Sequence, residues 1–408
     1  MKPALLGYGK TTRAIARRLG GGCTFFDDNC TTPTADTENN TIYPSDSFDP
    51  DRSQMEILTP SIPPEHPLLE KAKNPLSEYD YILGTLSSRG QKPFTVWISG
   101  TNGKTTTTQM LTHLLEGRGA ISGGNIGTPL ADLDPAAPIW VLESSSYTLH
   151  HTRYASPNIY LLLPITPDHL NWHGSPEAYE ADKLKPLLRM REGELALVPQ
   201  GLNLPQTDAW VVEYDSPAFL ESFFDLDSSK LRYKAAFLED ALLSLAVTRV
   251  LFDETDYTLL NQFTLDHHRQ EELRDALGRL WVNDSKATNA DAAMQAIRTY
   301  SDHPIHLILG GDDKGVDLAP LMDLIATEAV TLYVIGSNQQ SLLTLAKARK
   351  IPAHACHTLA QAISVIAANL QRDEVALLSP AASSLDQFSS YAERGALFME
   401  IVADLSAT

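Results

Sequence analysis

Short apolar runs alternate with amphipathic stretches along most of this chain, the rhythm of strands and helices in a parallel α/β sheet. The pattern predicts a strand at 4–6 followed by a helix reaching Leu19, a strand at 55–58, and a helix that Pro67 opens and Lys73 closes. A second series begins after Gly90 to Pro93, which reads as a linker. It has strands at 94–98, 139–142, 159–163 and 195–198, with helices at 105–116 and 237–252. Around Thr264 the pattern restarts, with strands at 280–282, 305–309, 332–335 and 375–378. Helices at 290–300, 318–327, 339–350 and 359–370 lie between them. The expected fold is α/β with three domains, at residues 1–91, 92–263 and 264–408.

Between the second-series strand Phe94-Thr95-Val96-Trp97-Ile98 and its helix stands Ser99-Gly100-Thr101-Asn102-Gly103-Lys104-Thr105-Thr106-Thr107. Glycines let backbone wrap a phosphate, helix N-terminal N–H groups face the anion, lysine adds a point charge, and Thr105 can hold Mg²⁺. The loop is shorter than the standard form, because Ile98 stands where the first glycine is usual. The first ninety residues open more weakly, on Gly7-Tyr8-Gly9-Lys10-Thr11. Thr12 stands where a dinucleotide fingerprint wants its third glycine, so a phosphate site and a packing turn remain equally open there.

Charge narrows the ligand classes. With 51 Asp+Glu against 32 Lys+Arg, the formal net charge of -19 opposes nonspecific attraction to nucleic acid or to an anionic membrane. Anions therefore need local sites. Cys23, Cys30 and Cys356 lack metal-ligand spacing and fit a reducing compartment, and no apolar run approaches the ~18 residues of a membrane span. A soluble, cytoplasmic protein is expected, with neither nucleic acid nor membrane insertion among its partners.

Further chemistry gathers where strands end. Glu143 ends one strand before Ser144-Ser145-Ser146, as an ordinary strand-end carboxylate or as a hard ligand for Mg²⁺. The loop Asp168-His169-Leu170-Asn171-Trp172-His173 follows another strand, and His169 suits a metal, a carboxylate or a base. Ser175 and Pro176 start a helix in which Lys183 lies two turns on; its spacing alone reads as a solvated lysine. In the last series Asn283-Asp284-Ser285-Lys286-Ala287-Thr288-Asn289, Gly310-Gly311-Asp312-Asp313-Lys314 and Ser379 to Phe388 lie between strands and helices. Together they would form one pocket able to bind an anion through Lys314 and Ser384.

Taken in order, Gly100 to Thr105, Gly124-Asn125-Ile126-Gly127, Glu143 to Ser146, Asp168-His169, Asn283 to Asn289 and Gly310 to Lys314 resemble the Mur ligase family of peptidoglycan synthesis over nearly the whole chain. Ser379-Pro380-Ala381, Ser384 to Phe388 and Glu393-Arg394-Gly395 are similar to its D-glutamate-adding members. The resemblance implies Rossmann-like N- and C-terminal units flanking a central P-loop ATPase-type domain. It implies a monomer that uses ATP and Mg²⁺ to join D-glutamate to UDP-N-acetylmuramoyl-L-alanine through an acyl phosphate.

The resemblance further implies that Gly100, Thr101, Asn102, Gly103, Lys104, Thr105 and Thr106 hold ATP, with Arg269, Asp284 and Lys286 from the C-terminal domain. Thr105, Glu143, His169 and Lys183 would serve the metal, Lys183 after carbamylation by CO₂, and Glu143, His169 and Lys183 with Lys104 would form the catalytic set. Lys10, Thr11, Asp27 and Asn125 would meet the UDP substrate. Thr288, Lys314, Ser384, Leu385 and Tyr391 would meet D-glutamate. The chain departs from the family in having Thr59-Pro60-Ser61 for Ser-Pro-Gly, Asp27-Asp28 for Asp-Thr, and Arg232 to Ala236 where a His-Asn-x-x-Asn signature is common. Other readings are a Mur ligase adding a different amino acid, a folylpolyglutamate synthase, or an ATP-dependent switch that ligates nothing.

Overall fold

The computed structural model describes residues 2–313 and 315–405. Among them lie three sheets of six strands each, mostly parallel and covered by helices. Internal contacts divide the chain into two compact units, residues 1–233 with 237–263, and 234–236 with 264–408.

The first unit carries two sheets. One runs Thr34–Ala35, Thr41–Pro44, Thr24–Asp27, Ala4–Leu6, Glu56–Leu58, Pro75–Leu76, parallel except at its first pair. The other is fully parallel in the order Trp210–Tyr214, Leu195–Pro199, Ile159–Leu162, Phe94–Ser99, Ile139–Glu143, Ala120–Gly124. Its four middle strands are buried on both faces, which is why they read as continuous apolar runs rather than alternating ones. Helix Glu78–Ser88 joins the two sheets into one core, with Tyr79 edge-on to Trp97 at 4.7 Å between ring centres.

The second unit holds the order Glu271–Arg274, Leu280–Asn283, Val375–Leu378, Ile305–Leu309, Val330–Ile335, Ala353–His357. Only the Glu271–Arg274 edge strand is antiparallel. In both the fully parallel sheet and this one, chain order reverses beside the first long strand, and the crevice at such a reversal is where open α/β sheets bind ligands.

The predicted helix at 318–327 is shorter, Ala319–Ile325, and Glu143 ends its strand Ile139–Glu143 as expected. Strands Ala120–Gly124, Trp210–Tyr214 and Ala353–His357 carried no clear sequence pattern. All three are edge strands, and Ala353-His354-Ala355-Cys356-His357 has no β-branched residue to mark it. No helix among the described residues is long and apolar enough to cross a membrane.

Candidate functional site

Strand pairing sets the first site. Ile98 lies beside both Glu143 and Leu161, so the ends of three neighbouring strands bring the glycine loop, Glu143 and the Leu163 to His169 loop to one edge. The loop is shaped by packing: a Cβ on Gly100 would come within 2.5 Å of Leu163 Cβ, and one on Gly103 within 2.6 Å of an Asp240 carboxylate oxygen. Gly103 has φ 81°, the left-handed region, and caps helix Lys104–Leu115 without a side chain. The N–H groups of the first turn and the helix dipole are thus left to an anion.

Around this turn the polar groups converge. Lys104 Nζ donates to the carbonyls of Gly100 at 2.9 Å and Thr101 at 2.7 Å. Thr105 donates to one oxygen of Glu143 at 2.8 Å and Asn125 to the other at 2.5 Å. Glu143 is buried, and Tyr79 donates to its carbonyl. The Thr105 hydroxyl and the Glu143 carboxylate are hard oxygen donors of the kind that suit Mg²⁺. Thr101 lies in the loop as expected, but Thr106 is buried and its hydroxyl has no partner among the described residues, so its backbone is what it can present.

Lys183 is not the solvated lysine its spacing suggests. It is 1% exposed, donates to the Gly100 carbonyl at 2.7 Å, and lies 4.6 Å from the centre of the Tyr179 ring. Burial, reinforced by the Lys104 charge, pulls its pKa well below the ordinary lysine value. The groups that bury it come from the loop and from its own helix, and no local pattern announces them.

A node absent from the sequence reading sits beside it. Asp182 accepts from His150 Nδ1 at 2.9 Å, from His173 Nδ1 at 2.7 Å and from Lys185 Nζ at 2.7 Å. Burial alone would raise its pKa, but hydrogen bonds from His150 and Lys185 and their charges overcome this and bring it to about 2. Because the carboxylate can only accept, His173 carries its proton on Nδ1, and its Nε2 accepts from Ser146 at 2.9 Å. The three side chains lie close enough to share a metal ion, but the Lys185 ammonium already supplies the positive charge there. The node ties together the segments that follow Glu143, follow His169 and carry Lys183. His169 itself is half exposed at φ 54°, with Asp168 3.6 Å away and the Tyr147 ring beside it.

The first sheet supplies a neighbouring surface. A cavity of about 280 Å³ at its carboxyl edge is lined by Tyr8, Asp27, Asn29, Cys30, Thr32 and Thr34, and Asp27 accepts from the Tyr8 N–H at 2.6 Å. Lys10, at the start of the adjoining helix with Thr11, donates to the Gly127 carbonyl, two residues past Asn125. Expected contacts on both sheets are thus linked.

In the second unit the three predicted loops do meet. Gly310 N–H donates to Pro380, Ala381 N–H to Ala287, and Asp312 and Ser383 exchange two backbone bonds at 2.9 Å. Asp284 accepts from Ser379 at 2.8 Å, and burial raises its pKa to about 7. Gln270, next to Arg269, donates its N–H to the same carboxylate at 3.3 Å. Lys286 lies 4.0 Å from the centre of the Tyr391 ring, which brings together one residue expected on the ATP side and one expected on the amino-acid side. Thr288 lies in the same loop as Lys286, Ser384 is buried, Leu385 is exposed, and Lys314 lies outside the described residues.

These features define an α/β protein with a glycine loop at a helix start on its central sheet and a cluster of loops on its C-terminal sheet. Residues 98–214 match the Mur ligase middle domain and 268–382 the Mur ligase glutamate ligase domain. The chain is 49% identical over 405 residues to UDP-N-acetylmuramoylalanine--D-glutamate ligase of Campylobacter jejuni subsp. jejuni serotype O:23/36 (strain 81-176), covering 98% of this chain and 99% of the relative. It is 44% identical over 420 residues to the Helicobacter pylori (strain HPAG1) protein of the same name, with the same coverage. Among solved structures it is similar to the MurF ligase of Thermotoga maritima in complex with ADP, with TM-score 0.63, 15% identity and 95% of each chain covered. The chain belongs to the Mur ligase family.

Proposed function

We propose that this chain is an ATP-dependent ligase that joins D-glutamate to UDP-N-acetylmuramoyl-L-alanine in peptidoglycan synthesis. The observation that carries the reading is the meeting of Lys104, Thr105, Glu143 and Lys183 at one sheet edge, in a chain that matches D-glutamate ligases along nearly its full length. The loop from Gly100 to Thr106 holds the ATP phosphates, and Arg269, Asp284 and Lys286 are the ATP contacts of the second unit. Asp27, Lys10, Thr11 and Asn125 take the UDP substrate, whose nucleoside fits the cavity beside Tyr8. Thr288, Lys314, Ser384, Leu385 and Tyr391 take D-glutamate.

A carboxylate is a poor electrophile, so the γ-phosphoryl is first transferred to the alanyl carboxylate, releasing ADP and giving an acyl phosphate. Lys104 and the N–H groups of the helix start stabilise the charge on the transferring group. Mg²⁺, held by Thr105, Glu143, His169 and Lys183, would supply further charge neutralisation on the phosphates when bound. The D-glutamate amine then attacks the acyl carbon and phosphate leaves. Lys183 enters as a carbamate: its burial favours the neutral amine that CO₂ requires, and the product is an anion suited to a cation site.

The test is phosphate release from ATP and UDP-N-acetylmuramoyl-L-alanine with D-glutamate, L-glutamate, L-alanine or diaminopimelate. Strong stimulation is expected with D-glutamate alone. Release indifferent to the amino acid would overturn the reading in favour of a switch, and stimulation by another amino acid in favour of a different ligase.

A further inference from the structure

Arg394 stands in the first turn of helix Tyr391–Asp404 and is 1% exposed. Its Nε donates to the Ser285 hydroxyl at 3.0 Å and its Nη2 to the Ser285 carbonyl at 2.9 Å. Both terminal nitrogens also donate to the Ala382 carbonyl at 3.3 Å. Ser285 Oγ in turn donates to the carbonyl of Tyr391 at 2.8 Å. One guanidinium therefore fastens three segments: the loop of Asp284 to Asn289, the loop of Ala382 to Phe388, and the start of the last helix.

The acceptors are unusual in one respect. All are neutral, and no carboxylate among the described residues forms an ion pair with Arg394; Asp386 is the acid whose field reaches it. Burial brings its pKa down to about 10, so the group remains a cation at neutral pH. Buried guanidinium groups are ordinarily matched by a carboxylate, because an unmatched charge in a low-dielectric interior is costly. A persistent positive charge beneath these loops lowers the energy of an anion bound above them. Hydrogen bonds confined to Ser285 and Ala382 fix the backbone that presents Thr288 on one side and Ser384 on the other.

We propose that Arg394 is the positioning residue of the amino-acid pocket, fastening its loops and supplying the positive field that favours a dicarboxylic amino acid. This rests on the D-glutamate reading above. It adds a residue for which the loop motifs gave no role, and it predicts that the pocket fails for D-glutamate before it fails for ATP.

The experiment compares Arg394→Met, which removes the charge at similar length, with Arg394→Lys, which keeps the charge and loses the fork. For each, KM for D-glutamate, KM for ATP and kcat are measured, with circular dichroism to verify the fold. Arg394→Met is expected to raise KM for D-glutamate by about tenfold or more while KM for ATP changes less than about threefold, and Arg394→Lys to recover part of the difference. Ser285→Ala, a smaller change that removes the hydroxyl between Arg394 and Tyr391, is expected to give the same split at lower amplitude. It also serves as the deciding variant should both Arg394 variants fail to fold. KM for D-glutamate unchanged in the folded variants, or KM values for both substrates rising in parallel, would overturn the proposal. A parent enzyme that D-glutamate does not stimulate would instead remove the functional reading beneath it, so the two failures are told apart.

Discussion

The carboxyl edges of the central and C-terminal sheets hold their most buried ionic groups by different means. In the central sheet Asp182 is met by two imidazoles and an ammonium, and Glu143 by a hydroxyl and an amide. In the C-terminal sheet Arg394 is met by carbonyls and one hydroxyl. At the first edge Asp182 is matched by cationic partners, while Glu143 is held by neutral ones beside the glycine loop. The second buries a guanidinium that no carboxylate among the described residues pairs, which suits a pocket whose occupant brings a negative charge. Lys183 is the exception at the first edge: it is buried against the Gly100 carbonyl, and it escapes the cost of its charge by a lowered pKa.

That exception offers the sharpest way to break the contrast. Lys183→Ala is expected to lower the rate of phosphate release by about a hundredfold or more, the scale of removing a group that organises charge at a reacting phosphoryl. Formate or acetate should restore part of it, because a small carboxylate can occupy the space of the carbamate proposed for Lys183. If Lys183→Ala keeps the parent rate, the buried amine is only a packing element and the two edges differ less than their charges imply.

The two edges were also unequally legible in the sequence. The glycine loop could be read directly because strand, glycine turn, lysine and threonine are consecutive, and the structure keeps them together at the end of the strand and the start of the helix. The C-terminal pocket required three loops far apart in the chain to meet, which the parallel sheet order ensures but no short motif encodes. Asp182 was passed over because its partners are His150, His173 and Lys185, of which only Lys185 falls at helical spacing from it. Arg394 appeared within Glu393-Arg394-Gly395, yet its burial depends on Ser285, more than a hundred residues earlier. Gly395 carried a readable hint: a Cβ there would come within 2.3 Å of the His268 ring, so this helix must approach another segment closely. Long-range neighbours decide both burial and charge, and a local pattern cannot report them.

A smaller effect is expected at the node. Asp182→Asn keeps the shape of the side chain but removes the charge facing Lys185, His150 and His173. Breaking a fully buried pair costs about 3–5 kcal/mol, but the side chains of Lys185 and His150 are 34% and 25% exposed, so solvent screens part of it. A loss of about 2 kcal/mol in urea unfolding is expected, with kcat lowered by about tenfold as the segments bearing Glu143, His169 and Lys183 loosen. Loss of stability with kcat untouched would make the node a purely structural brace. The contrast between the edges would then lie in charge alone and not in the positioning of catalytic groups.

Glu78 gives the mildest test, because it is a buried charge with the same problem as Arg394 and a different escape. Its carboxylate lies in the joining helix and accepts from the Ala131 N–H at 3.1 Å, with no ion pair among the described residues. Burial raises its pKa from 4.5 to about 8, the Ala131 hydrogen bond offsetting only part of the cost and Asp132 adding to it. A carboxyl can take up a proton where a guanidinium cannot lose one. Between pH 4.5 and 8 the folded state therefore holds a proton that the unfolded state has released, so stability falls as pH rises through this window. Gln at this position can still accept from Ala131 and does not titrate. Glu78→Gln should match the parent within about 1 kcal/mol near pH 5 and exceed it by about 2 kcal/mol or more near pH 8, measured by urea unfolding across the range. A difference that stays constant with pH would mean that Glu78 is ionised in the folded protein. The interior would then tolerate an unmatched charge in the first unit as it does in the second.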